Sequence, residues 1–285
     1  MSAFASAGRG ATAGTMSDPL ARIAAALERL SPPAVDGDPA IGHWFVFGDA
    51  GLAPAPQPRL TPLALYAGVD AQRAQLVENA RRHAAGLPAH DVLLWGARGM
   101  GKSSLVRAVH GDLVAGDFDV ALVQLVQPDL PRLPQLFRIL AACPRRFTVF
   151  LDDLSLDGDD GRVHALRSLL DGGVMARPDH VRLVVTSNRR NLVPRQMADQ
   201  DSDPVNPRDV ADDQLALADR FGLRLGFHAC DQAQYLAICA NYAVAHGLAF
   251  DPAAALAWAA GRGARSGRVA WQFTVETAGA AGVKL

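Results

Sequence analysis

The stretch GARGMGKS, Gly96 to Ser103, lies directly behind the apolar run Val92-Leu93-Leu94-Trp95. It fits the pattern G-x-x-x-x-G-K-[ST], which has physical meaning only between a strand and a helix. Both flanks are present here, because a helical segment from Ser104 to His110 follows. Gly96, Gly99 and Gly101 let the backbone curl so that its N–H groups converge on an anion. The following helix adds its positive N-terminal end at the same place. A bound nucleoside triphosphate, ATP, is therefore expected. Gly96, Ala97, Arg98, Gly99, Met100, Gly101, Lys102, Ser103 and Ser104 would form its phosphate cradle. Lys102 would reach the β- and γ-phosphates, and the Ser103 hydroxyl would serve a magnesium ion.

The elements around this loop alternate. Strands are expected at Asp91–Trp95, Asp119–Leu125, Phe147–Leu151, Val181–Thr186 and Leu223–Phe227, with helices at 70–85, 130–142 and 163–170 between them. Alternation of this kind predicts an α/β fold, a parallel sheet covered by helices on both faces. After Cys230 the strand signals stop, and three helices are expected at 232–246, 252–260 and 266–278. The predicted organisation is a tail and small appendage over 1–60, a nucleotide-binding core over 61–228 and a helical lid over 229–285. The appendage would hold a short helix at Pro19–Leu30 and an apolar run at His43–Phe47 that could form a strand. A linker carrying Pro54, Pro56, Pro58 and Pro62 would follow it. The first fifteen residues read as a disordered tail, with Met16 as a candidate start, and 196–213 as a mobile polar loop.

Two further motifs complete the chemistry. The run FTVFLDD places Asp152 and Asp153 at the end of a strand. The first carboxylate would hold magnesium through its water shell, and the second would polarise an attacking water. The strand ending Thr186-Ser187-Asn188 would set Asn188 beside the γ-phosphate if it neighbours the loop-bearing strand. Gln124 is a candidate to orient Asp153. Arg220, just before the last strand, and Arg268, at the start of the last helix, belong to the residue type that stabilises charge on a transferring phosphoryl group. The acids Asp153, Asp157, Asp159 and Asp160 do not make a calcium loop, because the twelfth position is His164 and not a glutamate.

Composition narrows the rest. Net charge is −1, so the chain as a whole is marked neither for nucleic acid nor for a membrane surface. No apolar run approaches the ~20 residues of a spanning helix. Three cysteines, without metal-ligand spacing, read as free thiols in the cytoplasm.

The motif set, in this order, resembles the AAA+ ATPases. Longer strings are similar to a bacterial AAA+ family called domain of unknown function 815: GVDAQRAQLVENA, LLWGARGMGKSSLVRA, FLDDLSLDGDD, VVTSNRRNLVPR, DRFGLRLGF and RSGRVAWQF, together covering roughly Leu60 to Val275. The resemblance implies a five-stranded parallel sheet followed by a helical lid, with Val69 and Asp70 near the adenine. It implies Asp153 as catalytic acid, Asn188 as sensor 1, Arg220 as a finger reaching a neighbouring subunit's ATP, and Arg268 as sensor 2. A homo-oligomer that hydrolyses ATP to remodel or load a protein or nucleic-acid client is the expectation. An ATP-gated, loader-like switch with little turnover is the alternative, and a small-molecule kinase a remote third. One departure stands out: many AAA+ proteins carry glutamate where this chain has Asp153, which draws the carboxylate back by one methylene. No aromatic pore-loop motif follows the second strand, where 127–134 is proline-rich.

Overall fold

A computed structural model of the chain describes residues 37–126, 130–154, 177–188 and 217–285, with Ile23, Leu166 and Leu170 besides. The expected tail, the helix at 19–30, most of the helix at 163–170, the acids at 157–160 and the polar loop at 196–213 lie outside the described residues.

Seven strands form one sheet: β1 (Trp44–Gly48), β2 (Gly51–Pro54), β3 (Val92–Gly96), β4 (Val120–Leu125), β5 (Arg146–Leu151), β6 (Val181–Ser187) and β7 (Leu223–Phe227). Their spatial order is β2-β1-β4-β5-β6-β3-β7, and every pairing is parallel except the β1–β2 hairpin. The helices are α1 (Asp70–Ala84), α2 (Lys102–Ala115), α3 (Leu133–Ala141), α4 (Gln232–Ala245), α5 (Pro252–Gly261) and α6 (Gly267–Ala280). None of the helices among the described residues is long and apolar enough to cross a membrane.

The expectation of five strands is corrected to seven, and the two additions come from within 1–60. Trp44, Phe45, Val46 and Phe47 are strong β-formers. Gly51, at φ 88, closes the two-residue turn Asp49-Ala50. Phe45 and Phe47 are buried in the same apolar cluster as Val123 and Val149, so the hairpin belongs to the sheet's core. Arg145 fastens it: its guanidinium donates to the Gly42 carbonyl and pairs with Asp119 at 2.7 Å.

Alternation along the central strands sends residues to two cores. Leu93, Phe147, Val149 and Leu151 pack with α3 on one face. Val92, Leu94 and Phe150 pack on the other with α1, α2 and the C-terminal helices. Each C-terminal helix starts at a side-chain cap: Asp231 accepts from the Gln234 amide, Asp251 from Ala253, and Ser266 Oγ from Val269. Tyr235, buried among them, donates its hydroxyl to the Ala255 carbonyl at 3.1 Å.

Candidate functional site

The loop after β3 is shaped by positions only glycine tolerates. Gly96 has φ 120, and a Cβ there would lie 2.1 Å from the Phe227 carbonyl oxygen of β7. Gly99 and Gly101 have φ 76 and 87, and Gly101 is the residue from which α2 departs. The neighbouring Ala97 amide donates to the same Phe227 carbonyl at 2.7 Å. The loop is thus pinned to β7 at its start and to α2 at its end.

Lys102 is buried. Its Nζ donates to the Gly96 and Ala97 carbonyls, both at 2.9 Å, and to Asn188 Oδ1 at 3.0 Å. Burial lowers its pKa, and the nearby carboxylates of Asp153 and Asp152 act against that shift. Asn188 lies just past β6, which pairs directly with β3, so the neighbouring-strand condition for its role is met. Its Nδ2 donates to Asp153 Oδ1. One amide therefore bridges the loop lysine and the second acid. Gln124 sits opposite Phe150 on β5 and Val46 on β1, and the Asp153 carboxylate accepts from Asn188 instead.

Asp152 receives several donors. Ser103 Oγ and Thr186 Oγ1 both donate to its Oδ1, the latter at 2.8 Å. Arg107 Nη1 lies 3.6 Å from its Oδ2. Ser103 and Asp152 are hard oxygen donors already in contact, a set that suits a small divalent cation. No cluster of three or more His, Cys, Asp or Glu able to cage a metal occurs among the described residues. A cation here would complete its shell from phosphate and water, as magnesium does. Asp153 adopts the left-handed conformation, φ 54. Short polar side chains such as aspartate tolerate this region better than longer ones.

These groups open on one cavity of about 590 Å³. Gly99 to Ser104, Asp152, Asp153, Asn188 and Arg268 line one part of it. The helical segment closes over this part: the Arg268 amide donates to the Gly99 carbonyl at 3.0 Å. Val69, Tyr66, Tyr242 and Trp271 line another part. The rings of Tyr242 and Trp271 are 5.2 Å apart, and the Arg59 guanidinium lies 5.7 Å from the Trp271 ring. Tyr66 joins the two sides through a 2.6 Å hydrogen bond with Ser104 Oγ, and burial raises its pKa to about 12.

Not every expected residue reaches the cavity. Gly96 and Ala97 are engaged by Phe227 and Lys102 behind it, and Arg98 is exposed. Asp70 turns its carboxylate to Arg73 at 2.7 Å, while Val69 supplies the wall. Arg220 precedes β7. That strand begins opposite Val92 and ends opposite Gly96, so Arg220 lies at the strand ends remote from the loop of its own chain. Sequence reasoning missed Tyr66, Arg107, Tyr242 and Trp271. The spacing Ile238, Tyr242, His246 was a usable signal, since all three line the cavity at four-residue intervals, the first two from α4 and His246 from its C-cap.

A single-residue variant of Thermotoga maritima RuvB superposes with a TM-score of 0.50 at 16% identity, covering 76% of this chain and 64% of that one. Another gives 0.49 at 16%, covering 78% and 66%. Thermotoga maritima RuvB, titled a Holliday junction branch migration motor, gives 0.46 at 18%, covering 80% and 67%. The chain thus spans 64% of the length of the first of these proteins. No curated protein matches the chain in sequence. With the sheet order and the glycine loop, the first superposition shows the fold class: an AAA+ P-loop NTPase with a helical C-terminal segment. A family model matches residues 42–281, and the chain belongs to the family described as protein of unknown function (DUF815).

Proposed function

We propose that the chain binds ATP with magnesium in this cavity and hydrolyses it. The observation that carries the reading is the convergence of Lys102, Ser103, Asp152, Asp153, Asn188 and Arg268 on one cavity beside a glycine loop. Lys102 would exchange its loop carbonyls for phosphate oxygens, a favourable trade for an ammonium already desolvated. Ser103 and Asp152 would hold the magnesium ion, which supplies charge neutralisation for the phosphoryl group when bound. Asp153 would accept hydrogen bonding from the attacking water, with Asn188 holding that water and the γ-phosphate. Arg268 would contact phosphate from the lid.

Arg220 is proposed to act in trans. It lies far from its own cavity, so subunits stacked side by side would bring it to a neighbour's nucleotide. Homo-oligomers acting in the cytoplasm on a protein or nucleic-acid client are the corresponding reading. Steady-state ATP hydrolysis across a wide range of protein concentration, with Lys102→Ala as the blank, tests it. A specific rate that climbs with concentration is expected, and a flat rate equal to the blank sinks hydrolysis.

A second reading, an ATP-gated switch with little turnover, draws support from Asn188. With both Lys102 and Asp153 engaged by the same amide, the reactive groups are tied to each other. Tight ATP binding without turnover would favour it.

A further inference from the structure

Asp152 and Asp153 follow β5 at its carboxyl end, where the chain must leave the sheet. Leu151 pairs with Val185, which puts Asp152 level with Thr186 on β6. Thr186 is 1% exposed. Its hydroxyl does two things at once: it donates to Asp152 Oδ1 at 2.8 Å and accepts from the Asp153 backbone amide at 2.8 Å. Its carbonyl accepts from the Leu154 amide, also at 2.8 Å. One residue thus holds three consecutive residues of the neighbouring segment, including the one at φ 54. A left-handed non-glycine residue is strained and persists only where its surroundings over-determine it. A hydroxyl that donates and accepts together is the group this spot requires. A carboxylate has no proton to donate and would repel Asp152, and an aliphatic side chain would leave the Asp153 N–H and an Asp152 lone pair facing apolar surface.

We propose that Thr186 is a positioning residue: its hydroxyl sets the Asp152 carboxylate for a divalent cation and fixes the turn that aims Asp153. The role rests on the nucleotide reading above. Thr186 borders the same cavity, but its hydroxyl is taken up by Asp152 and the Asp153 amide. It acts through the two acids, so its loss alters how the site uses magnesium and leaves Lys102 and the loop in place.

The test compares Thr186→Val, which keeps the shape and removes the hydroxyl, with Thr186→Ser, which keeps the hydroxyl. ADP binding is titrated calorimetrically at a series of magnesium concentrations and in EDTA, kcat and KM for ATP are measured alongside, and amide exchange at Asp153 is followed by NMR in the nucleotide-free protein. Thr186→Val is expected to need about tenfold more magnesium for half-maximal ADP affinity, to lower kcat about tenfold at little change in KM, and to speed exchange at Asp153. Its ADP affinity in EDTA should equal that of wild type, and Thr186→Ser should restore all three properties. Magnesium dependence and Asp153 exchange unchanged in Thr186→Val overturn the proposal. So does Thr186→Ser behaving like Thr186→Val, which would assign the effect to the methyl group. A wild-type protein that binds no ADP overturns the nucleotide reading of the cavity, and the exchange at Asp153 then decides the positioning on its own.

Discussion

The backbone amide of Arg268 hydrogen-bonds to the carbonyl of Gly99, so the first turn of α6 rests directly on the glycine loop. The contact is close on both sides. A Cβ at Gly99 would stand 2.9 Å from Ser266 Oγ, and one at Gly267 would stand 3.2 Å from the Gly99 carbonyl oxygen.

Gly99→Ala is therefore expected to act twice. It places a side chain at φ 76 and presses on the cap of α6. A loss of about 1–2 kcal/mol of stability is expected, together with at least tenfold weaker ATP binding. Thermal unfolding and calorimetric titration read the two effects separately, and wild-type ATP affinity in the variant would show that the lid and the loop are independent.

Lys102→Met separates function from stability. The wild-type ammonium is buried and its pKa is depressed by desolvation. Replacing it with an apolar side chain of similar length should abolish hydrolysis while leaving the melting temperature equal or higher. A drop of several degrees would mean that the lysine's three acceptors hold the fold as well as the site.

Two buried histidines make stability depend on pH. His83 and His110 each have a pKa lowered to about 4, burial being the main cause and their hydrogen bonds to the Phe147 and His43 carbonyls acting against it. In the unfolded chain both titrate near 6.5, so between 6.5 and 4 the unfolded state binds more protons. Stability from these residues is complete above the unfolded value and falls as pH drops, by about 2 kcal/mol each at pH 5. Urea denaturation at pH 7 and pH 5 should show this fall, reduced in His83→Gln. Equal midpoints at the two pH values would contradict it.

The proposed action of Arg220 in trans predicts complementation. Arg220→Ala alone and Asp153→Asn alone should each lose about 100-fold in turnover while keeping ATP affinity. Mixed, they should regain activity, because an Asp153-bearing site can then meet an intact Arg220 from the other variant. Mixtures no more active than the separate proteins would confine each site to one chain.

The central strands, the glycine loop, the acid pair and Asn188 were all legible in the sequence, because each is a local pattern on one element. Chain ends of elements moved by a residue or two, and α2 runs on to Ala115, well past the expected His110. The cavity wall opposite the phosphate loop was not legible. Tyr66, Tyr242 and Trp271 come from three separate segments and meet only through tertiary packing. The hairpin was half visible. Its first strand showed as an apolar run, but the prolines behind it suggested a tether, and nothing local revealed that β1 would pair with β4.

That pairing bears on what the far side of the sheet offers to other molecules. Without β1 and β2, the outer backbone of β4 would be a row of open hydrogen-bonding groups between apolar side chains, an invitation to strand-by-strand growth between molecules. The hairpin caps that row with a four-residue strand ending at Pro54, too short and too interrupted to recruit another. A fragment trimmed to begin at the glycine-loop core would keep Lys102, Asp152, Asp153 and Asn188 and lay the β4 edge open to aggregation.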